Sequence, residues 1–446
     1  MSERPMPASG GAAANVDARP LLPLNMLVTL SVYWLGILTI QFGLGTQIVP
    51  SMVEDMVGTR NAGTGLAVIN GVAVIASIFV QPTVGVLSDY TISRWGRRKP
   101  YIFIGGLLDM VFLYGIATSN TFVVLIAFYF LIQVSSNFAQ GPFQGYVPDL
   151  VPARQVGTAS GLMGLMIVLG SIVGAGIAMF GLQEGGSLFA ATLALGVVEI
   201  VAMLIVVLRV HEGTVGPRRT MSWPRVAMSA WGSDILREKS VLWLLLVRLL
   251  FLGAAAAATS LGLYYFQRTH GLSEAEASRF VFYATIVVAG MSGLASIPGA
   301  RLSDRFGRKP IIYGGMALTA IGLLGLALAP SPELAIALFV PAGIGIGAFL
   351  SVDWALMSDV IPKHTSARYM GILNAGTAMA TPVFLVVGGL TMDAVGRSVG
   401  AAAGPVAAMY VAIGFLVLAA FALRQVDARR RELGEPAAAE PELAAA

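Results

Sequence analysis

Cysteine is absent from the chain, which excludes disulfides, thiolate metal sites and cysteine nucleophiles. Histidine is nearly absent: His211, His270 and His364 all fall in polar connections, so no histidine proton relay runs through the apolar segments. Charge is scarce too. Only 12% of residues are charged, against about 25% in ordinary soluble domains. No Lys follows a Gly anywhere, and neither His-Glu-x-x-His nor Gly-x-Ser-x-Gly occurs. Those gaps exclude a phosphate-cradling Walker loop, a zincin helix and a nucleophile elbow. The chain is therefore read as a non-enzyme, with no cofactor and no metal. A formal net charge of +4 is weak support for any nucleic-acid partner, and none is expected.

What is present is apolar. Hydrophobic residues make up 56%, mean hydropathy is +0.79, and glycine is abundant at 52 residues. Such a chain needs lipid around it, and abundant glycine suits close helix packing in a bilayer. A hydrocarbon core of about 30 Å takes about 20 apolar residues in helix. Spans are expected near 26–49, 64–88, 100–119, 121–147, 156–181, 188–209, 241–266, 279–299, 310–329, 333–357, 368–390 and 405–424.

Lys and Arg orient them. With a cytoplasmic N-terminus, the inner segments hold clusters such as Arg94, Arg97, Arg98 and Lys99, then Arg209 to Lys239, Arg301 to Lys309, and Arg424 to Arg431. The outer segments hold only Arg60, Arg268, Arg279 and Arg397. The positive-inside rule then puts both termini in the cytoplasm and makes the chain a multi-pass protein of the plasma membrane, or of the inner membrane in a bacterium. The expected organisation is a disordered tail 1–24, a six-helix bundle 25–210, a cytoplasmic linker 211–239, a second bundle 240–425 and a disordered tail 426–446. No cleavable signal peptide is expected at the start. Trp223, Val226, Trp231 and Ile235 are spaced for a short amphipathic helix in the linker; a plain connection fits as well.

Four ionisable residues fall inside spans: Asp109, Glu199, Arg248 and Asp353. Charge at membrane depth is costly, which makes each a functional candidate. Arg248 lies about 13 Å into the seventh span and Asp353 about 9 Å into the tenth at the helical rise. They are read as a proton-coupling pair, with snorkelling of Arg248 and helix capping by Asp353 as the plainer alternative. Asp109 and Glu199, in the third and sixth spans, are either further proton carriers or inward-facing structural acids. Gln133, Asn137, Gln140 and Gln144 recur at i, i+4, i+7 and i+11, on one helical face. Amides both donate and accept, which suits a polyhydroxylated ligand. Gln41, Trp354 and Asn374 complete the substrate candidates, Trp354 as a stacking surface for a sugar ring. Interhelical bonding is the competing role for the polar ones.

The chain repeats itself. Leu87-Ser88-Asp89 with Gly96-Arg97-Arg98-Lys99-Pro100 matches Leu302-Ser303-Asp304 with Gly307-Arg308-Lys309-Pro310, and Asp149-Leu150-Val151-Pro152 matches Asp359-Val360-Ile361-Pro362. Pro100 and Pro310 are 210 positions apart, as are Asp149 and Asp359. The Gly-x-Leu-Ser-Asp…Gly-Arg-Arg/Lys loop resembles the signature of the major facilitator superfamily. The resemblance implies an all-α membrane fold of twelve helices in two pseudo-symmetric six-helix bundles. Spans one, four, seven and ten would line a central site. Asp89, Arg94, Arg97, Arg98, Asp149, Arg154, Asp304, Arg308 and Asp359 would form gating loops, although the basic ones alone also fit a role in setting topology. The Ser88 to Pro100 loop, Gln41-Phe42-Gly43, Asn137 and Gln140-Gly141-Pro142 resemble the proton-coupled sucrose and glucoside carriers, with Gln144 standing where that family usually has Arg. A melibiose-type sodium site is not expected, because 64–88 contain no acid.

The expected function is secondary transport by alternating access: proton-coupled symport of a small-molecule substrate, a sugar or glycoside. The alternatives are efflux of drugs or metabolites by proton antiport, and a non-transporting membrane sensor or scaffold.

Overall fold

A computed structural model of the chain describes residues 20–212, 238–360 and 377–427. The described residues are helical throughout, without a strand. In chain order the long helices are α1 (Leu24–Val57), α2 (Ala62–Asp89), α3 (Lys99–Ala117), α4 (Phe122–Gln144), α5 (Val156–Gly181) and α6 (Leu188–Arg209). After the undescribed 213–237 come α7 (Lys239–Ser260), with a second piece Gly262–His270, then α8 (Glu274–Phe306), α9 (Arg308–Leu328), α10 (Pro332–Val360), α11 (Ala380–Ser398) and α12 (Ala403–Gln425). Eleven of these are long and apolar enough to cross a membrane. The described part of α11 is the exception; it carries Asp393 and Arg397, and the start of its expected span at 368 lies outside the described residues.

Local chemistry sets the ends. Thr121 and Ser187 cap α4 and α6 by accepting from Val124 N and Ala190 N. Ser273 and Glu276 form a reciprocal capping box at the start of α8, satisfying two orphan donors at once. Gly58, at φ 79°, ends α1 in a backbone region that side chains rarely enter.

Several helices overrun the expected spans. The first was expected at 26–49 and runs to Val57; the eighth was expected at 279–299 and runs Glu274–Phe306. Hydropathy marks the length inside hydrocarbon, whereas the helices continue into polar ends that have their own caps. The expected span 241–266 is broken at Leu261. Within α1 the turn Leu44–Ile48 is π-helical, a local widening often found at functional positions.

The repeat seen in sequence recurs in packing. In the first half α1 lies on α5 and α6, α2 on α4, α3 on α4 and α6. In the second half α7 lies on α11 and α12, α8 on α10, α9 on α10 and α12. Each pairing maps to its counterpart six helices later. Across the halves α2 packs on α11 and α5 on α8, which the same mapping also exchanges. The outside of the bundle is apolar: Phe79, Val123, Leu208, Leu294, Ile297 and Leu328 are all exposed. In water such a surface would be a large apolar patch; against acyl chains it is the solvated face.

Candidate functional site

Two ends of the bundle can be told apart by their loops. One carries 90–98 and 145–155 and will be called the near end; the other carries 58–61, 271–273 and 399–402 and will be called the far end.

In the second half, Arg248 of α7 reaches Asp353 of α10 at 2.7 Å, with side-chain exposures of 4% and 1%. The two expected partners are thus in contact. The contact is an ion pair without hydrogen-bond geometry, and neither Asp353 oxygen has a hydrogen-bond donor among the described residues. Arg248 also donates to Thr377 Oγ1 at 2.7 Å and to the Met357 sulfur, while its Nε has no hydrogen-bond partner among the described residues. It points into the helix core rather than toward headgroups, so it does not snorkel. Phe251 and Phe349 stack at 3.7 Å between the same two helices. Burying both charges is tolerable only because each is the other's partner.

The amide face of α4 divides. Asn137 is buried and donates to Ser77 Oγ at 3.0 Å and to Gln133 O at 2.7 Å, which ties α4 to α2. This is interhelical bonding, the plainer of the two expected roles. Gln133 hydrogen-bonds Tyr129. Gln140 and Gln144 are half-buried, and Gln41 on α1 is exposed. Asn374 lies outside the described residues. Trp354 and Asp359 lie on α10, with their side chains outside what is described.

In the first half, Asp109 of α3 accepts from Ser135 and Ser136 of α4, the latter at 2.8 Å. Glu199 of α6 accepts from Tyr33 of α1 at 3.0 Å, and Asp109 and Glu199 touch each other. Two acids treated separately in sequence are therefore neighbours.

At the near end, Arg98 binds Asp89 at 2.8 Å and Asp149 at 2.6 Å, and Arg97 also pairs with Asp149. Arg98 additionally donates to Pro142 O at 2.8 Å. Glu212 completes the cluster. It accepts from the backbone N–H of Arg98 and Lys99, at 2.8 and 3.0 Å, and from the Tyr146 hydroxyl. It thereby caps α3, whose own N-cap residue offers no side-chain bond. In the second-half repeat of this cluster, Arg308 pairs with Asp304 at 2.6 Å and donates to Ser303 Oγ at 2.7 Å. Arg94 and Arg154 are exposed.

At the far end, polar bonds join the halves. Asp393 of α11 accepts from Gly63 N at 3.0 Å, Thr64 N at 2.6 Å and Thr64 Oγ1 at 2.6 Å. Arg268 pairs with Glu54 at 2.9 Å while lying over the Tyr264 ring, and Tyr264 donates to Pro50 O at 2.7 Å. Gln47, in the π-helical turn, accepts from Ser278 of α8 and donates to Ala175 O at 2.9 Å. Arg397 donates to Arg60 O at 3.1 Å. A surface recess of about 500 Å³ opens beside these bonds, rimmed by Glu54, Asp55 and Glu274. It lies away from Arg248 and Asp353, the residues that carry the ionisable chemistry.

Sequence reasoning missed Asp393, Glu54, Arg268 and Glu212. One signal pointed to Asp393: the first turn of α2 has no acid and Asn61 gives no capping bond, so that helix start needed an acceptor from elsewhere. Glu212 had the same signal in the uncapped start of α3.

The family model described as MFS/sugar transport protein matches residues 30–423. A sucrose transport protein of rice (Oryza sativa subsp. japonica) is 30% identical over 122 residues. That match spans 22% of this chain and 23% of the rice protein, so the chain matches less than a quarter of that relative's length. The class C tetracycline resistance protein of Escherichia coli is 24% identical over 366 residues, covering 79% of this chain and 85% of the relative. Among solved structures, a mutant form of the nucleoside transporter NupG superposes with a TM-score of 0.71 at 12% identity, over 90% of this chain and all of that one.

Proposed function

The chain belongs to the MFS/sugar transport protein family, and from that premise we propose that this multi-pass membrane protein couples proton movement to uptake of a sugar or glycoside. The observation that carries the coupling is the Arg248–Asp353 ion pair, buried in a bundle whose outside faces lipid. An ionisable pair at such depth is costly to keep, and Arg248 holds Asp353 ionised only while the two touch. Entry of substrate separates them, Asp353 takes a proton, and the loaded protein changes state.

In this reading twelve spans form two halves, 25–210 and 240–425, with both termini cytoplasmic. The halves rock about a site that takes Gln41, Gln133, Gln140 and Gln144 from the first half, with Trp354 and Asn374 as the expected candidates in the second. Parallel repeats of this kind place their site between the halves near the midplane. The near end is then cytoplasmic. Its clusters, Asp89–Arg98–Asp149 and Asp304–Arg308, rearrange as that side opens and closes, together with Arg94, Arg97, Arg154 and Asp359. The far end is the outer gate, held shut by Asp393, Arg268 and Gln47. The half-buried amides of α4 and the rice relative support a sugar.

A second reading is proton-driven efflux. It is favoured by the tetracycline resistance relative, which matches along much more of the chain. Uptake into proteoliposomes under an imposed pH gradient separates the two. The panel is sucrose, maltose, trehalose and simple glucosides, with tetracycline and a cationic dye as contrast. Accumulation of a sugar that collapses with the gradient is expected. Movement of dye or tetracycline without any sugar would replace uptake by efflux.

A further inference from the structure

The carboxyls of Asp109 and Glu199 meet inside the first half, where Asp109 is fully buried and Glu199 is 1% exposed. The hydroxyls around them are committed. Ser135 and Ser136 donate to the two oxygens of Asp109, and Tyr33 donates to Glu199 Oε1. Glu199 Oε2 receives no donor from them. Two ionised carboxylates have only acceptors to offer each other, so a bond between them needs a proton of its own. Their charges would also be uncompensated. The titratable groups acting on the pair are each other and Tyr33, and no Lys, Arg or His among the described residues joins them. α4 supplies only the two serines.

The fold does not require these acids. The helices that repeat α3 and α6, namely α9 and α12, carry no Asp or Glu along their length. The second half closes the same place without an acid. Contact with α1 is close: a Cβ on Gly36 would lie 2.9 Å from the Glu199 Cα.

We propose that Asp109 and Glu199 form a proton-binding site separate from Arg248–Asp353, holding at least one proton between their carboxyls and linked by Tyr33 to α1. Binding places a proton between Glu199 Oε2 and Asp109; release leaves two like charges in contact, and Tyr33 is the donor that must answer them. Only the effect on transport rests on the transport reading; the proton itself does not.

Infrared spectroscopy of the full-length protein in lipid, exchanged between H₂O and D₂O at neutral pH, tests this. Wild type is expected to show a protonated-carboxyl band that shifts on deuteration. Asp109→Asn and Glu199→Gln are each expected to move that band, the double variant to lose it, and Asp353→Asn to keep it unchanged. Absence of the band in wild type overturns the proposal, as does its survival in the double variant or its loss in Asp353→Asn. Should the double variant not fold, a band unmoved by either single variant overturns it as well.

Discussion

Arg248 and Asp353 shelter one another, but not symmetrically. An aspartate left alone can take a proton and become neutral, whereas a guanidinium cannot give its charge up. Asp353→Asn is therefore expected to destabilise the protein by about 3–5 kcal/mol, the usual cost of stranding a buried charge. Arg248→Met is expected to cost clearly less. Thermal melting in detergent checks the order, and equal losses would mean that the pair's packing matters more than its charge. His270 gives a pH prediction outside the spans. Burial pushes its imidazole below the ordinary value, against the pull of Glu333. The folded protein then favours the neutral ring, so His270 contributes stability above about pH 6.5 that is lost as pH falls through the ordinary imidazole range. Melting between about pH 7 and about pH 5 should drop more in wild type than in His270→Gln. At this scale the sequence was informative wherever a charge stood inside an apolar run: all four such residues proved buried and partnered. It paired Arg248 with Asp353 by depth but was silent on the meeting of the other two. Asp109 and Glu199 are 90 positions apart, and only the packing of α3 on α6 brings them together. Asp393 escaped notice because it stands just beyond the expected span, where an acid is unremarkable.

In the proposed mechanism, helix pairs carry the gate. α2 and α11 approach so closely that a Cβ on Gly63 would sit 2.4 Å from the Gly389 carbonyl oxygen. Gly63→Ala must push the two helices apart and is expected to favour the form open at the far end. Asp393→Ala should act in the same direction by another route. It removes the three bonds that Asp393 accepts at the start of α2, where an anion is also favoured by the helix dipole. Accessibility of Thr64→Cys to a membrane-impermeant thiol reagent measures this, and the chain has no cysteine of its own to give background. Faster labelling is expected in both variants, and unchanged labelling would remove these residues from the gate. The helices themselves were legible from hydropathy: an expected span falls on each of the twelve long helices, and eleven of these are long and apolar enough among the described residues to cross a membrane. Their ends were not, because capping by Ser273–Glu276 or by Asp393 depends on side chains outside the apolar window. The break at Leu261 left no pattern in the sequence either.

Across the whole molecule, the repeat was the strongest signal. Motifs 210 positions apart anticipated a packing scheme in which each helix pair recurs six helices on, and exchange of α2–α11 with α5–α8 closes the two halves face to face. The clusters at the near end were only half foreseen. Asp89, Arg98 and Asp149 assemble as the motif implied, yet Glu212 joins them from the far side of α6, through the tertiary fold. If Arg248–Asp353 is the coupling element of this assembly, protons must move with the substrate. The most direct measurement is proton flux in lightly buffered proteoliposomes on addition of the sugar that the uptake panel identifies, for wild type and Asp353→Asn. Alkalinisation of the outside medium in wild type, absent in Asp353→Asn protein that still binds the sugar, is the expected result. Sugar entry in wild type with no proton movement, or with protons running the opposite way, would contradict the account.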